Sequence, residues 1–164
     1  MAAGATYEPI ATSSPSGVST VTFSSLGTYT DIKVIVAGLT TASAGSLAFL
    51  RFNGDTGFNY STTQMYGNGT SVTSDQTTGN SLIYINTDTS TTIPQMSETD
   101  IFSYRGSTKK TVLHKSSNDQ NGAGFVYRGV HLWNNTAAIT SITVACFANF
   151  SAGTTISLYG IKAA

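Results

Sequence analysis

Short runs of β-branched and aromatic residues recur along the chain, and each run is followed by turn residues such as Gly, Asn or Ser. This rhythm is typical of the strands of an all-β domain. No stretch combines helix-favouring residues with apolar positions at i, i+3, i+4 and i+7, because Gly and paired Thr or Ser interrupt every such pattern. The sequence therefore predicts an all-β fold, specifically a jelly-roll-like antiparallel β-sandwich.

The pattern places ten strands along the chain. They are predicted at Val18–Phe23, Ile32–Ala37, Ser46–Asn53, Tyr60–Tyr66, Ser81–Ile85, Met96–Tyr104, Lys110–Ser116, Phe125–Trp133, Ile139–Phe147 and Thr155–Ile161. Ten strands exceed the eight of a plain jelly roll, so one or two of them are expected to be edge hairpins or extended loops.

Alternation along a strand indicates which side chains face the core, because residues two apart share one side. Ile32, Val34 and Val36 are predicted to point inward. In the first predicted strand, the inward side chains are either those of Val18, Thr20 and Thr22 or those of Val21 and Phe23. We favour Val21 and Phe23.

Two alternating sets compete in the strand over residues 125–133. One is aromatic, with Phe125, Tyr127, His131 and Trp133, and the other is aliphatic, with Val126, Val130 and Leu132. We predict that the aliphatic set is buried and that Tyr127, His131 and Trp133 lie at an interface. Alternatively, these aromatics form a stacking surface for a glycan, together with other strand tyrosines.

Residues 1–17 differ from the rest of the chain, since they are small and polar and contain few apolar groups. Tyr7, Pro9 and Ile10 are the candidate anchors of this segment. It has too little apolar area to fold alone, so we expect an extended arm that docks on another molecule, or a disordered segment. Residues 18–164 are then a single β-sandwich domain, since no repeat or second composition regime is visible.

Composition narrows the range of partners. Charged residues make up 10% of the 164 residues and the formal net charge is zero, so the chain lacks the basic surface that nucleic acid requires. The start has no signal-peptide pattern and no apolar run is long enough to span a bilayer, so neither export nor membrane insertion is expected. With 21 Ser and 27 Thr, the surface depends on hydroxyl groups and tolerates close packing of subunits.

Candidate catalytic and metal-binding groups are sparse, and no cofactor or enzymatic activity is expected. His114 and His131 lie in no catalytic motif, and with the single Cys146 they match no zinc spacing. Cys146 alternates with Ile142 and Val144, which indicates a buried small hydrophobe rather than a reactive thiol.

Three carboxylates have alternative interpretations. The segment Asn53-Gly54-Asp55 fits a tight turn, although its side-chain oxygens also resemble part of a calcium site. Glu98 and Asp100 share one face of a strand, as a glycosidase pair would. Ion pairs with basic residues nearby in the sequence are favoured, and these residues are Arg105, Lys109 and Lys110.

Several segments resemble small structural proteins of tailed phages, especially phages of cyanobacteria and marine bacteria. They are YEPIAT at 7–12, VTFSSLGTYTDIKVIV at 21–36, LRFNGDTGFNYS at 50–61, TAAITSITV at 136–144 and SAGTTISLYGIKAA at 151–164. The stretch 64–121 matches less well.

The resemblance implies a β-sandwich component of the virion, with no catalytic residue to carry over. Because such proteins are often trimeric, we expect a homotrimer. The first expectation is a capsid decoration or cement protein in the virion, assembled in the host cytoplasm, with the major capsid protein or other virion subunits as partners. The alternative is a tail, neck or fibre component that binds host glycan. Nucleic acid and membrane are not expected as partners.

Overall fold

A computed structural model describes residues 6–42, 46–85 and 90–162. Its strands are β1 Tyr7–Ser13, β2 Thr20–Phe23, β3 Asp31–Gly38, β4 Ala48–Phe52, β5 Tyr60–Gly67, β6 Val72–Asn80, β7 Ile83–Tyr84, β8 Gln95–Ile101, β9 Lys110–Asn118, β10 Phe125–Trp133, β11 Ile142–Cys146 and β12 Thr155–Ile161. Among these residues, no helix has the length and apolar character needed to cross a membrane.

The strands form two antiparallel sheets. The larger sheet has eight strands in the order β1-β12-β3-β8-β9-β10-β5-β6, and the smaller has four in the order β2-β11-β4-β7. This arrangement confirms the all-β fold and is consistent with a β-sandwich. The jelly-roll connectivity stays a prediction.

The hydrophobic core joins the inner faces of both sheets. Ile32, Val34 and Leu158 of the larger sheet belong to the same buried cluster as Leu50 and Val144 of the smaller sheet. From Asp31 to Ala37 of β3, side chains alternate between half-buried and buried. Successive side chains of a strand point to opposite faces of the sheet, and only one face of the larger sheet meets the core. The predicted inward set of residues 32, 34 and 36 is confirmed.

The prediction that Val21 and Phe23 point inward is also confirmed. Val21 and Phe23 are partly buried and pack against the core cluster. Thr20 and Thr22 are exposed, and the Thr22 hydroxyl lies 3.0 Å from that of Thr143 on the neighbouring strand β11.

The amino-terminal segment differs from the prediction of an arm. Residues 7–13 form strand β1, which pairs with β12 of the same chain and completes one edge of the larger sheet. Ile10 sits at an irregularity in this pairing and packs against the core, whereas Tyr7 and Pro9 are exposed. Strand β1 therefore buries little apolar area, and its backbone hydrogen bonds to β12 hold it in the sheet. Residues 1–5 lie outside the described residues.

Candidate functional site

The face of β10 that points into the sandwich is the aromatic one. His131 and Trp133 are buried, with 2% and 1% of their surface exposed, whereas Val126 and Val130 are 67% and 41% exposed. The prediction that the aliphatic set is buried is therefore wrong. Trp133 and His131 belong to the interior of the chain and do not form a glycan-stacking surface.

Trp133 is held inside by an aromatic cluster and by a carboxylate. Its ring meets the edge of Phe52 with centroids 5.6 Å apart and stacks on Tyr60 at 6.5 Å. Its indole nitrogen donates a hydrogen bond of 2.7 Å to Oδ2 of Asp55. A buried indole N–H needs a hydrogen-bond acceptor, and Asp55 supplies it. This explains why Trp133 occupies the core although it is larger and more polar than Val126 and Val130 on the other face of β10.

The loop after β4 is a structural turn. Asn53 and Gly54 adopt positive φ angles of 54° and 66°, as a tight reversal requires. The Asp55 carboxylate also accepts hydrogen bonds from the Gly57 amide at 2.8 Å and from Asn59 Nδ2 at 3.0 Å. Burial opposes ionisation, but the hydrogen bonds from Trp133, Asn59 and Gly57 hold the pKa of Asp55 below its usual value. Among the described residues no group of three or more acidic, His or Cys side chains is arranged to hold a metal ion.

The two histidines form a buried polar pair beneath the aromatic cluster. Their ring centroids are 5.9 Å apart. His131 Nδ1 lies 2.8 Å from the Thr62 hydroxyl, and His114 bonds to Thr99 at 3.2 Å and to Ser116 at 3.1 Å. His131 Nε2 is buried and has no hydrogen-bond partner among the described residues.

Burial dominates the acid–base behaviour of this pair. It lowers the pKa of His114 to about 3, and the neighbouring His131 adds to this effect. Burial also lowers the pKa of His131 to about 4. Both rings are therefore neutral at neutral pH. Their hydrogen-bond partners are the hydroxyl groups of Thr62, Thr99 and Ser116 and, for His114, the Glu98 backbone.

Tyr127 is the one member of the predicted aromatic set that reaches the surface. It is half-buried, and its ring stacks on Tyr66 with centroids 4.8 Å apart and an interplanar angle of 20°. Phe125 lies beside it at 5.9 Å. The interface role of Tyr127 stays a prediction.

The side of the larger sheet that points away from the sandwich carries six exposed large apolar side chains. We call it the outer face, and it comprises the outward side chains of β8, β9, β10, β5 and β6. Its exposed large apolar residues are Met65, Val72, Met96, Leu113, Val126 and Val130, with exposures between 38% and 73%. The strand register brings them together, because Met96 and Val126 are both paired with Ser117, and Val72 and Val126 are both paired with Gly67.

Two adjoining hollows lie on this face. The first has a volume of about 560 Å³ and its lining includes Met65, Met96, Val126 and Arg128. The second, of about 350 Å³, shares Met65 and Arg128 with the first and adds Leu113 and Val130. The outer face is therefore concave where its apolar side chains gather.

Charged groups also lie on the outer face, and Glu98, Lys115 and Arg128 line its first hollow. Lys33 bonds to Glu98 at 3.1 Å and to Asp100 at 2.8 Å, and Lys115 bonds to Glu98 at 3.0 Å. Hydrogen bonding to Lys115 and Lys33, opposed by burial, lowers the pKa of Glu98. The interpretation of Glu98 and Asp100 as ion-pair members is confirmed, with Lys33 and Lys115 as partners rather than the basic residues near 105–110.

A second, smaller apolar surface lies on the outside of the four-stranded sheet. Phe147 is 60% exposed and lies 5.0 Å from the buried Phe49 and 6.4 Å from the partly exposed Tyr84, between ring centroids. The Arg51 guanidinium lies 4.9 Å above the Phe49 ring, which places a positive charge beside these aromatics. Phe147 was not among the residues that the sequence predicted for a stacking surface.

Cys146 is confirmed as a buried small side chain. It is 4% exposed, and its sulfur lies 3.3 Å from the Ser46 hydroxyl. Its position on β11, beside Val144 in the core cluster, agrees with the alternation seen in the sequence.

Comparison with protein-family models, with curated proteins and with solved structures gives no match to this chain in any of the three. The resemblance to phage structural proteins therefore stays a prediction from the segments quoted above.

Proposed function

We propose that this protein is a structural subunit of a phage virion, and specifically a capsid decoration or cement protein. Its partners are the major capsid protein or neighbouring virion subunits. The observation that carries the proposal is the concave outer face of the eight-stranded sheet, where Met65, Met96 and Val126 line a hollow beside Glu98, Lys115 and Arg128. Apolar patches of this kind mark interaction surfaces, because their exposure to water is unfavourable.

The composition supports a contact made over an area rather than at one strong site. Eight acidic and eight basic residues offer few charges to desolvate when two surfaces meet. Hydrogen bonds from hydroxyl and backbone groups each contribute only ~0.5–1.5 kcal/mol net. Repeated over a symmetric shell, such contacts bridge neighbouring subunits through multivalency and strengthen the particle.

The test is a single charge placed in the outer face. Val126→Glu should weaken binding to particles that lack this protein at least ~10-fold, since a carboxylate would have to be buried in an apolar contact. Binding is measured by cosedimentation with particles of the phage that encodes the chain. Circular dichroism should be unchanged, because Val126 is 67% exposed.

Val18→Glu is the matched control, since Val18 is an exposed valine outside the outer face, at 47% exposure. It should bind like the wild type. Equal binding of both variants would remove the outer face from the proposal.

A tail, neck or fibre component that binds host glycan is the second candidate function. The observation that favours it is the exposed aromatic surface at Tyr84 and Phe147 with Arg51 beside it. Flat aromatic rings pack against the apolar face of a sugar ring, and a guanidinium donates hydrogen bonds to hydroxyl or carboxylate groups. This surface replaces the one predicted at residues 127–133.

Phe147→Ala should then reduce binding of the protein to immobilised host surface glycans at least ~10-fold, because the most exposed stacking ring is lost. Phe58→Ala is the control, since Phe58 is 81% exposed and lies outside this aromatic cluster. If Phe147→Ala leaves glycan binding unchanged, or the wild type binds no glycan, the second candidate is excluded.

A further inference from the structure

Among the sheet edges of the described residues, β6 is the least protected, because its residues 72–77 contain neither a Pro nor a bulge. The opposite edge of the large sheet, β1, carries Pro9, an irregular pairing at Ile10 and a Glu8–Lys162 ion pair of 2.6 Å. Pro, bulges and charges are the usual means by which proteins prevent an edge strand from pairing further. The edges of the small sheet, β2 and β7, have four and two residues.

By contrast, β6 has nine residues, VTSDQTTGN, with no Pro, no basic residue and a single charge at Asp75. Residues 72–79 are exposed, on both faces of the strand. Within the sheet β6 pairs only with β5. An irregularity opposite Thr78 and Gly79 ends the regular ladder, so residues 72–77 form the regular stretch.

The hairpin geometry shows which backbone groups of β6 are free. The amide of Asn68 donates to the Ser71 carbonyl at 3.2 Å, so these two residues form a hydrogen-bonded pair at the turn. Hydrogen-bonded and non-hydrogen-bonded pairs alternate along an antiparallel ladder. The N–H and C=O groups of Val72, Ser74 and Gln76 therefore point away from β5, toward the open edge.

We propose that this edge pairs with β6 of a second copy of the chain, antiparallel, around a two-fold axis at Ser74. Ser74 then pairs with Ser74 of the second copy, and Val72 of each copy pairs with Gln76 of the other. Every outward backbone group of residues 72–76 is thereby used, in about six hydrogen bonds.

The side chains favour a second copy as the occupant. In this register Asp75, the one charged residue of the strand, lies opposite Thr73 of the other copy, and no like charges are opposed. The remaining contacts join hydroxyl and amide groups, which hydrogen-bond to one another across strands. An isologous two-fold interface needs this kind of self-complementarity.

A two-fold axis perpendicular to the sheet keeps the same face of both copies on the same side. The two outer faces, with Val72 and Met65 next to the shared edge, then form one continuous apolar surface. The inference does not rest on the proposed function, because a dimer that fails to bind particles would leave it intact.

Light scattering after size exclusion should give twice the chain mass for the wild type at micromolar concentration. Ser74→Pro should halve that mass, because it removes an outward N–H and none of the bonds to β5. A wild type of one or three copies, or a Ser74→Pro variant that still forms the dimer, would overturn the proposal.

Cysteine cross-linking gives a readout that does not depend on the proline variant. Ser74→Cys should form an intermolecular disulfide on mild oxidation, since the Cα atoms of a hydrogen-bonded pair are ~5.5 Å apart. Thr73→Cys is the matched control, because its copies do not face each other in this register, and it should cross-link at least ~10-fold less. The native Cys146 is buried and does not interfere. Equal cross-linking at both positions would contradict the two-fold axis at Ser74.

Discussion

The free energy of unfolding is expected to fall by several kcal/mol as the pH is lowered from about 6.5 to about 4, because of the buried histidine pair. The folded-state pKa values of His114 and His131 are about 3 and about 4, below the value of 6.5 for a free histidine. The unfolded chain therefore takes up protons first as the pH falls. The stability that these rings contribute is complete above pH 6.5 and is lost as the pH approaches the folded-state values.

The expected slope is measurable. Between pH 5 and pH 6 the unfolded chain binds nearly two more protons than the folded one, which corresponds to roughly 2–3 kcal/mol per pH unit. Carboxylates contribute little there, since their unfolded pKa values lie near ~4. The measurement is urea unfolding at several pH values in this window.

His131→Asn is the informative variant, because an asparagine amide can keep the bond to Thr62 that His131 Nδ1 makes. Its slope should be about half that of the wild type, because one of the two rings that take up protons is removed. A wild type whose stability is flat from pH 6 to pH 5, or a variant with an undiminished slope, would contradict the assignment of acid sensitivity to these rings.

Most strands could be predicted from the sequence because they bury one face. Each of the ten predicted strands overlaps an observed one, and β3 shows the expected alternation from Asp31 to Ala37. The two strands that were missed lie at the edges of the large sheet. β6 is exposed on both faces, so its sequence carries no alternation, and β1 is held by backbone bonds to β12 that leave no apolar signature.

The buried face of β10 was harder to predict because both faces of this strand carry apolar side chains. Alternation alone does not tell the set of Val126 and Val130 from the set of His131 and Trp133. The deciding contact is the bond between Trp133 and Asp55, which lie 78 positions apart. A pattern within one strand contains no information about such a distant partner.

The bond between Asp55 and Trp133 leads to the second large expected effect. Asp55→Ala should lower the free energy of unfolding by about 2–4 kcal/mol, because it leaves the buried indole N–H without an acceptor and removes charge-assisted bonds to Gly57 and Asn59. Trp133 is the one tryptophan of the chain, so its fluorescence reports both the unfolding transition and any change of its environment.

Asp119→Ala is the matched control for this variant. Asp119 is exposed, and its carboxylate accepts one hydrogen bond of 3.1 Å from the Gly122 amide. Removing that bond at a surface should lower the free energy of unfolding by about 1 kcal/mol or less. If Asp55→Ala costs no more than Asp119→Ala, then Trp133 is held by packing against Phe52 and Tyr60 alone, and the carboxylate does not explain why the aromatic face of β10 turns inward.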